Sequence, residues 1–203
     1  MKRTFLFLVL ATLFTSRAHA DPILYSAVLL GSTAHPPTAS MGFGLSLVAY
    51  DPNLQTLDVL ASFANLTTPT TAGHIHCCVD PPGTADPATT VPSFPGFPLG
   101  VTSGAYQRLF DLTDASSFNP AFIAASGGTP LGAEMALAAG LAAGRAYFNI
   151  HTTRFPAGEI SGILTAVSGP TPIPEPATLV LVGSGVVAAL AARRRKRFEQ
   201  RLH

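Results

Sequence analysis

The chain has 203 residues, 47% of them hydrophobic but only 8% aromatic, with no Trp and 18 each of Gly and Pro. Such a balance favours short strands and many turns over long helices, and the length fits one domain with processing segments at its ends. The formal charge of +1 hides a segregation: nine of the twelve Lys/Arg sit at the two ends, and residues 21–176 hold three basic against ten acidic side chains, a net −7, which excludes binding to nucleic-acid phosphates.

Residues 1–20 read as a secretory signal. Lys2 and Arg3 form the charged start, residues 5–14 the apolar stretch, and Ala18-His19-Ala20 a small-x-small cleavage site of the kind signal peptidase cuts. ILYSAVLLG (23–31) predicts a first strand, and the two prolines of AHPPTAS (34–40) a turn. MGFGLSLVAYD (41–51) predicts a second strand, with Leu45, Leu47 and Ala49 on one face. Residues 54–66 fit strand or helix by composition, and the turns on either side favour a strand.

AGHIHCC (72–78) is the stretch around which the rest is arranged. In an extended chain His74 and His76 point to one face and Ile75 to the other. Residues 79–104 form a long connection rich in Pro and Gly; Phe94 and Phe97 suggest that it packs on something, either as a roof over the histidines or as a plain surface insertion. AYQRLFDLT (105–113) reads as a strand, 114–126 as a short helix with Asp114 as its cap, and about 131–142 as an Ala/Leu-rich helix with Gly140 and Gly144 as stop signals. AYFNIHT (146–152) is a strand with Phe148 and Ile150 on one face and Asn149 and His151 on the other. EISGILTAV (159–167) closes the domain as its last strand. The spacing of strands and turns predicts an antiparallel β-sandwich.

After a Gly/Pro-rich linker (166–173) come Pro174-Glu175-Pro176, sixteen largely apolar residues (177–192), the basic run 193–197 and a short tail, 198–203. The apolar run makes about 24 Å of helix, slightly short of a bilayer core, with its basic end and the tail on the cytoplasmic side. The order resembles the PEP-CTERM sorting signal of Gram-negative bacteria over 174–197. That resemblance implies an inner-membrane-anchored intermediate, recognition of Pro174, Glu175 and Pro176 by an exosortase, and release to the cell surface or extracellular matrix.

Residues 23–165 resemble the CHRD (chordin-type) family. The resemblance is carried by His35-Pro36-Pro37, by Ala72-Gly73-His74-Ile75-His76, and by Tyr147-Phe148-Asn149-Ile150-His151-Thr152 with Pro156-Ala157-Gly158-Glu159-Ile160-Ser161-Gly162. One departure is Ser161, where the family often has Arg. The resemblance implies a mainly β fold, a Greek-key β-sandwich of immunoglobulin-like or Cu/Zn-superoxide-dismutase-like build. One or two short helices and the C-terminal hydrophobic helix complete the expected architecture.

Two strands laid side by side, apolar faces inward, would bring His74, His76 and His151 onto one outer patch. Three imidazoles with an open position suit copper or zinc. Cys78, Cys77 and Glu159 are further candidate ligands, and Asn149 a candidate acceptor for a ligand's second ring N–H. The two cysteines leave three states open: a disulfide to each other, thiolate ligands, or disulfides to another chain. The opposing reading makes the histidines structural, bonded to loop backbone. No nucleophile elbow, phosphate loop or H-E-x-x-H helix occurs. The expectation is therefore an exported, non-catalytic binding module that holds a metal and meets an extracellular polysaccharide or surface protein. The alternatives are a superoxide-dismutase-like redox metalloenzyme and a purely structural matrix protein.

Overall fold

The computed structural model describes residues 21–167. The expected signal peptide with Ala18 and Ala20, most of the linker, the segment 174–197 with Pro174, Glu175 and Pro176, and the tail lie outside the described residues. No helix among the described residues is long and apolar enough to cross a membrane.

The domain is mainly β, as expected. Eight antiparallel strands, β1 (Ile23–Leu30), β2 (Phe43–Asp51), β3 (Thr56–Ala64), β4 (Thr70–Cys77), β5 (Gly104–Asp111), β6 (Ala146–Thr152), β7 (Ile160–Ile163) and β8 (Thr165–Ala166), form one continuous curled sheet. Its order is β4-β6-β7-β1-β2-β3-β5, with β8 paired to β1. Curling lets the two halves share one core: Leu29, Val48 and Val59 from one side meet Ile75, Phe148 and Ile150 from the other. Phe94 and Phe97 of the long connection enter the same core, so it is no loose insertion.

Two helices follow β5: α1 (Pro120–Ala125) and α2 (Pro130–Ala142). Each starts with Pro behind a polar cap, Asn119 for α1 and Thr129 for α2, whose side chains accept from the second or third helical N–H. Asp114 caps a separate 3-10 turn, Ala115–Ser117, rather than α1. Gly144 does end α2, at φ +67°, where a glycine costs little. Gly140 does not; it lies inside the helix, and a Cβ there would collide with the sulfurs of Cys77 and Cys78. The glycine is a notch that seats those sulfurs. Buried Glu134 ties α2 to the sheet by accepting from Tyr50 Oη at 2.9 Å and Gln55 Nε2 at 2.7 Å.

Two strand expectations need refinement. The last strand is broken at Leu164, whose N–H turns to the Ala146 carbonyl while its side chain enters the core, so β7 pairs with β6 and β8 with β1. In β2, Leu45 and Leu47 share the outer, exposed face, and Val48 and Tyr50 fill the core.

Candidate functional site

β4 and β6 are hydrogen-bonded neighbours, with His74 opposite Asn149, His76 opposite Tyr147 and Ala72 opposite His151. Alternation sends Gly73, Ile75, Phe148 and Ile150 inward and the three histidines to the other face. There the rings converge. His76 Nε2 lies 3.2 Å from His151 Nε2, and the His74 ring centroid lies 5.1 Å from that of His151 and 5.6 Å from that of His76. One nitrogen from each ring lies within 4.8 Å of the other two.

The expected outer patch is not a surface, however. His74 and His76 are 5% exposed and His151 9%. The connection after β4 runs back along the strand's free edge, with Cys77 N–H donating to the Asp86 carbonyl, Ala88 N–H to Ile75 and Phe94 N–H to Gly73. This seats the connection over the rings as a roof. The turn 153–158 closes another side, and His35 packs edge-on against Tyr147 from a third.

Each ring's remote nitrogen meets a backbone carbonyl: His74 Nε2 that of Pro92 at 2.8 Å, His76 Nδ1 that of Ala85 at 2.7 Å, and His151 Nδ1 that of Pro156 at 2.9 Å. A carbonyl only accepts, so each of these nitrogens carries its ring's proton. The three inward nitrogens, His74 Nδ1, His76 Nε2 and His151 Nε2, are then bare lone pairs. His74 Nδ1 is buried without a hydrogen-bond partner among the described residues.

Burial holds the rings neutral. It lowers His74 to about 3, aided by the neighbouring His151 and His76 and opposed by the Pro92 carbonyl. It lowers His76 to about 4, against the Ala85 carbonyl. His151 is lowered for the same reason, with the Pro156 carbonyl opposing. Neutral imidazoles with convergent lone pairs are the form in which histidine binds a metal, so this trio could hold one.

The other candidates stand elsewhere. Cys77 and Cys78 are joined to each other, which leaves no thiolate to act as a ligand. β4 also ends at Cys77, so Cys78 does not continue the His74/His76 face; both sulfurs sit against Gly140 of α2. Glu159 is no ligand either. Its carboxylate accepts from Ser40 Oγ at 2.6 Å, Thr67 N–H at 2.6 Å and Thr152 Oγ1 at 2.7 Å, binding three segments together. Burial alone would raise this carboxyl, but those donors hold it below its usual range. Asn149 is not the acceptor expected for a ring N–H. Its Nδ2 donates to the Ala157 carbonyl at 3.0 Å and approaches His151 Nε2 at 3.4 Å. It lies beneath Gly158, where a Cβ would strike its amide.

The structural reading expected bonds from the histidines to loop backbone, and the three carbonyls meet that expectation; sequence reading did not name which carbonyls and missed the role of Tyr147. Backbone acceptors leave no side-chain signature. Tyr147 stacks on His76 with centroids 5.0 Å apart and an interplanar angle of 15°; its place opposite His76 follows from the strand register alone. A cleft of about 360 Å³ opens above, lined by His35, His76, Asp86, Tyr147 and His151 among others. It gives the centre an approach from solvent.

No curated protein and no solved structure matches the chain. The PEP-CTERM protein-sorting motif matches residues 172–196. The motif implies export, membrane-associated sorting in a Gram-negative bacterium, and processing by an exosortase. The CHRD domain profile matches residues 25–164, which spans every strand that builds the histidine site and most of the chain; the protein belongs to the CHRD domain family.

Proposed function

We propose that this is an exported, non-catalytic binding module whose His74, His76 and His151 hold one copper or zinc ion. The observation that carries the reading is the set of three carbonyls, which accept from all three ring N–H groups and leave three unprotonated nitrogens within 4.8 Å of one another. Without a cation His74 Nδ1 has no partner, His76 Nε2 opposes His151 Nε2, and only a long bond from Asn149 Nδ2 meets the latter, in a buried site where unsatisfied polar atoms are costly. Zinc–nitrogen bonds of about 2.0–2.1 Å in tetrahedral geometry put ligand nitrogens about 3.3 Å apart, and the His76–His151 pair is already at 3.2 Å.

Final placement at the cell surface or in the extracellular matrix, with a polysaccharide or surface protein as partner, is part of this proposal and rests on the sorting motif. A second reading, a superoxide-dismutase-like redox enzyme, draws on the cleft above His76 and His151, which would let a small molecule reach an open coordination position. It would need copper rather than zinc.

The test is metal content with a dismutase assay on the same sample. Protein loaded with zinc or copper and then dialysed retains about one ion per chain if the proposal holds. Bound copper with turnover transfers the site to the redox reading. Protein that retains no metal, and takes up none at micromolar supply, returns the histidines to a structural role in a matrix protein.

A further inference from the structure

The outer face of β1, β2, β3 and β5 is largely apolar where a solvated sheet face would carry mostly polar side chains. The register sets Val28, Leu45, Ser62 and Ala105 side by side, and Ser26, Leu47, Leu60 and Gln107 in the next row. Val28 is 58% exposed, Leu45 56%, Leu47 42% and Leu109 64%. With Phe43, Leu60 and the flanking leucines of β1 they expose roughly 700 Å², from their fractional exposures on ordinary residue areas. That exceeds the 300–600 Å² patch of an ordinary monomer and approaches the roughly 800 Å² that one partner gives a standard interface.

We infer that this face is a two-fold interface with a second copy of the chain, packed sheet on sheet. Its relief is self-complementary. Two shallow hollows, of about 160 and 290 Å³, meet at Ser62, and Leu45 and Leu60 rise beside them. Side chains of one copy enter the hollows of the other, as facing sheets interdigitate. The acidic row Asp51 and Asp111 lies at one end of the face, and Asp58, one row in beside Leu109, accepts from Gln107 Nε2 at 3.2 Å. A two-fold axis running across the strands keeps the two acidic rows at opposite ends.

Charge and composition disfavour other occupants. No Lys or Arg points outward from this face, and the domain is net acidic, so an anionic lipid surface is repelled. Its tyrosines, Tyr25, Tyr50 and Tyr106, all point inward, and Phe43, 54% exposed, stands alone at one end of the face, a single ring where a sugar chain would need a row to stack on. The inference is independent of any metal at the histidines.

Sedimentation of the full chain tests it, comparing wild type with Leu45→Thr/Leu47→Thr, with the near-isosteric Val28→Thr, and with a control, Leu131→Thr, on an exposed leucine of α2. A wild-type dimer at about 100 µM is expected, with dissociation strengthened about 100-fold or more in the double variant, less in Val28→Thr, and not in the control. Association through the C-terminal apolar segment would be the same in all four proteins. A monomeric wild type, or a dimer that the face variants leave intact, overturns the inference. So does flotation of a monomeric wild type with phosphatidylcholine vesicles that is lost in the double variant, which would assign the face to lipid.

Discussion

His76 and His151 face each other through their Nε2 atoms at 3.2 Å, and neither nitrogen carries a proton, because each ring keeps its proton on Nδ1, which donates to a carbonyl. Burial opposes adding a shared proton. A metal cation satisfies both lone pairs and that of His74 at once.

If the trio is a metal centre, His76→Gln and His151→Gln should each weaken zinc binding at least 100-fold. Removing an outer-shell partner of a metal histidine already costs 10–100-fold, and loss of one of three ligands costs more. Competition with a chromophoric chelator measures this. Near-wild-type affinity in either variant would remove that ring from the ligand set.

The metal-free protein should lose stability in acid over a defined window. An unfolded histidine titrates near 6.5, whereas burial in the folded protein lowers His74 to about 3 and His76 to about 4. Because the folded values are lowered, their contribution is fully present above 6.5 and is lost as pH falls toward 4 and 3. Each ring adds a slope of about 1.4 kcal/mol per pH unit within its window. Urea titrations from pH 8 to 4 read the slope, and a flat profile below 6.5 would contradict buried, neutral rings. Zinc-loaded protein should keep its ion to more acid pH than free imidazole would.

Much of this centre was legible from alternation alone. HIH and NIH each place their histidines opposite an apolar partner, Ile75 and Ile150, so pairing the apolar faces pairs the histidines too. A roof over the histidines was one of two readings of residues 79–104; which carbonyls would meet the rings, Ala85 and Pro92 from that connection and Pro156 from the turn 153–158, was not legible, because main-chain acceptors leave no side-chain signature. The outer face of β2 was hidden for a different reason. Both faces of that strand are apolar, so its pattern names two faces without saying which is inside. Gly140 looked like a stop because glycine often ends helices; only the disulfide against it explains its place within α2.

Glu159→Gln should lower stability by about 1–3 kcal/mol, since a neutral amide accepts less strongly and turns an NH₂ toward donors that a carboxylate satisfied. The donors come from the β1–β2 connection, the β3–β4 connection and β6, so the loss should also loosen the segment that carries His35. Chemical denaturation and hydrogen exchange at residues 33–40 check both parts. Loss of metal stoichiometry in a folded Glu159→Gln protein would instead make Glu159 a ligand.

The sulfurs should be separable from the metal. The double variant Cys77→Ala/Cys78→Ala should bind zinc with unchanged stoichiometry, because the disulfide faces Gly140 on the far side of β4 from the histidines. Gly140→Ala, which fills the notch, should cost about 1–3 kcal/mol through overpacking. The cost should shrink when combined with the cysteine double variant. Thermal unfolding of the four proteins gives this coupling directly.

X-ray absorption at the edge of the bound metal tests the centre most directly. Zinc-loaded protein should show three imidazole nitrogens at about 2.0–2.1 Å and no sulfur near 2.3 Å. A shell of sulfur, or of oxygen with fewer than three imidazoles, would contradict a centre built on His74, His76 and His151.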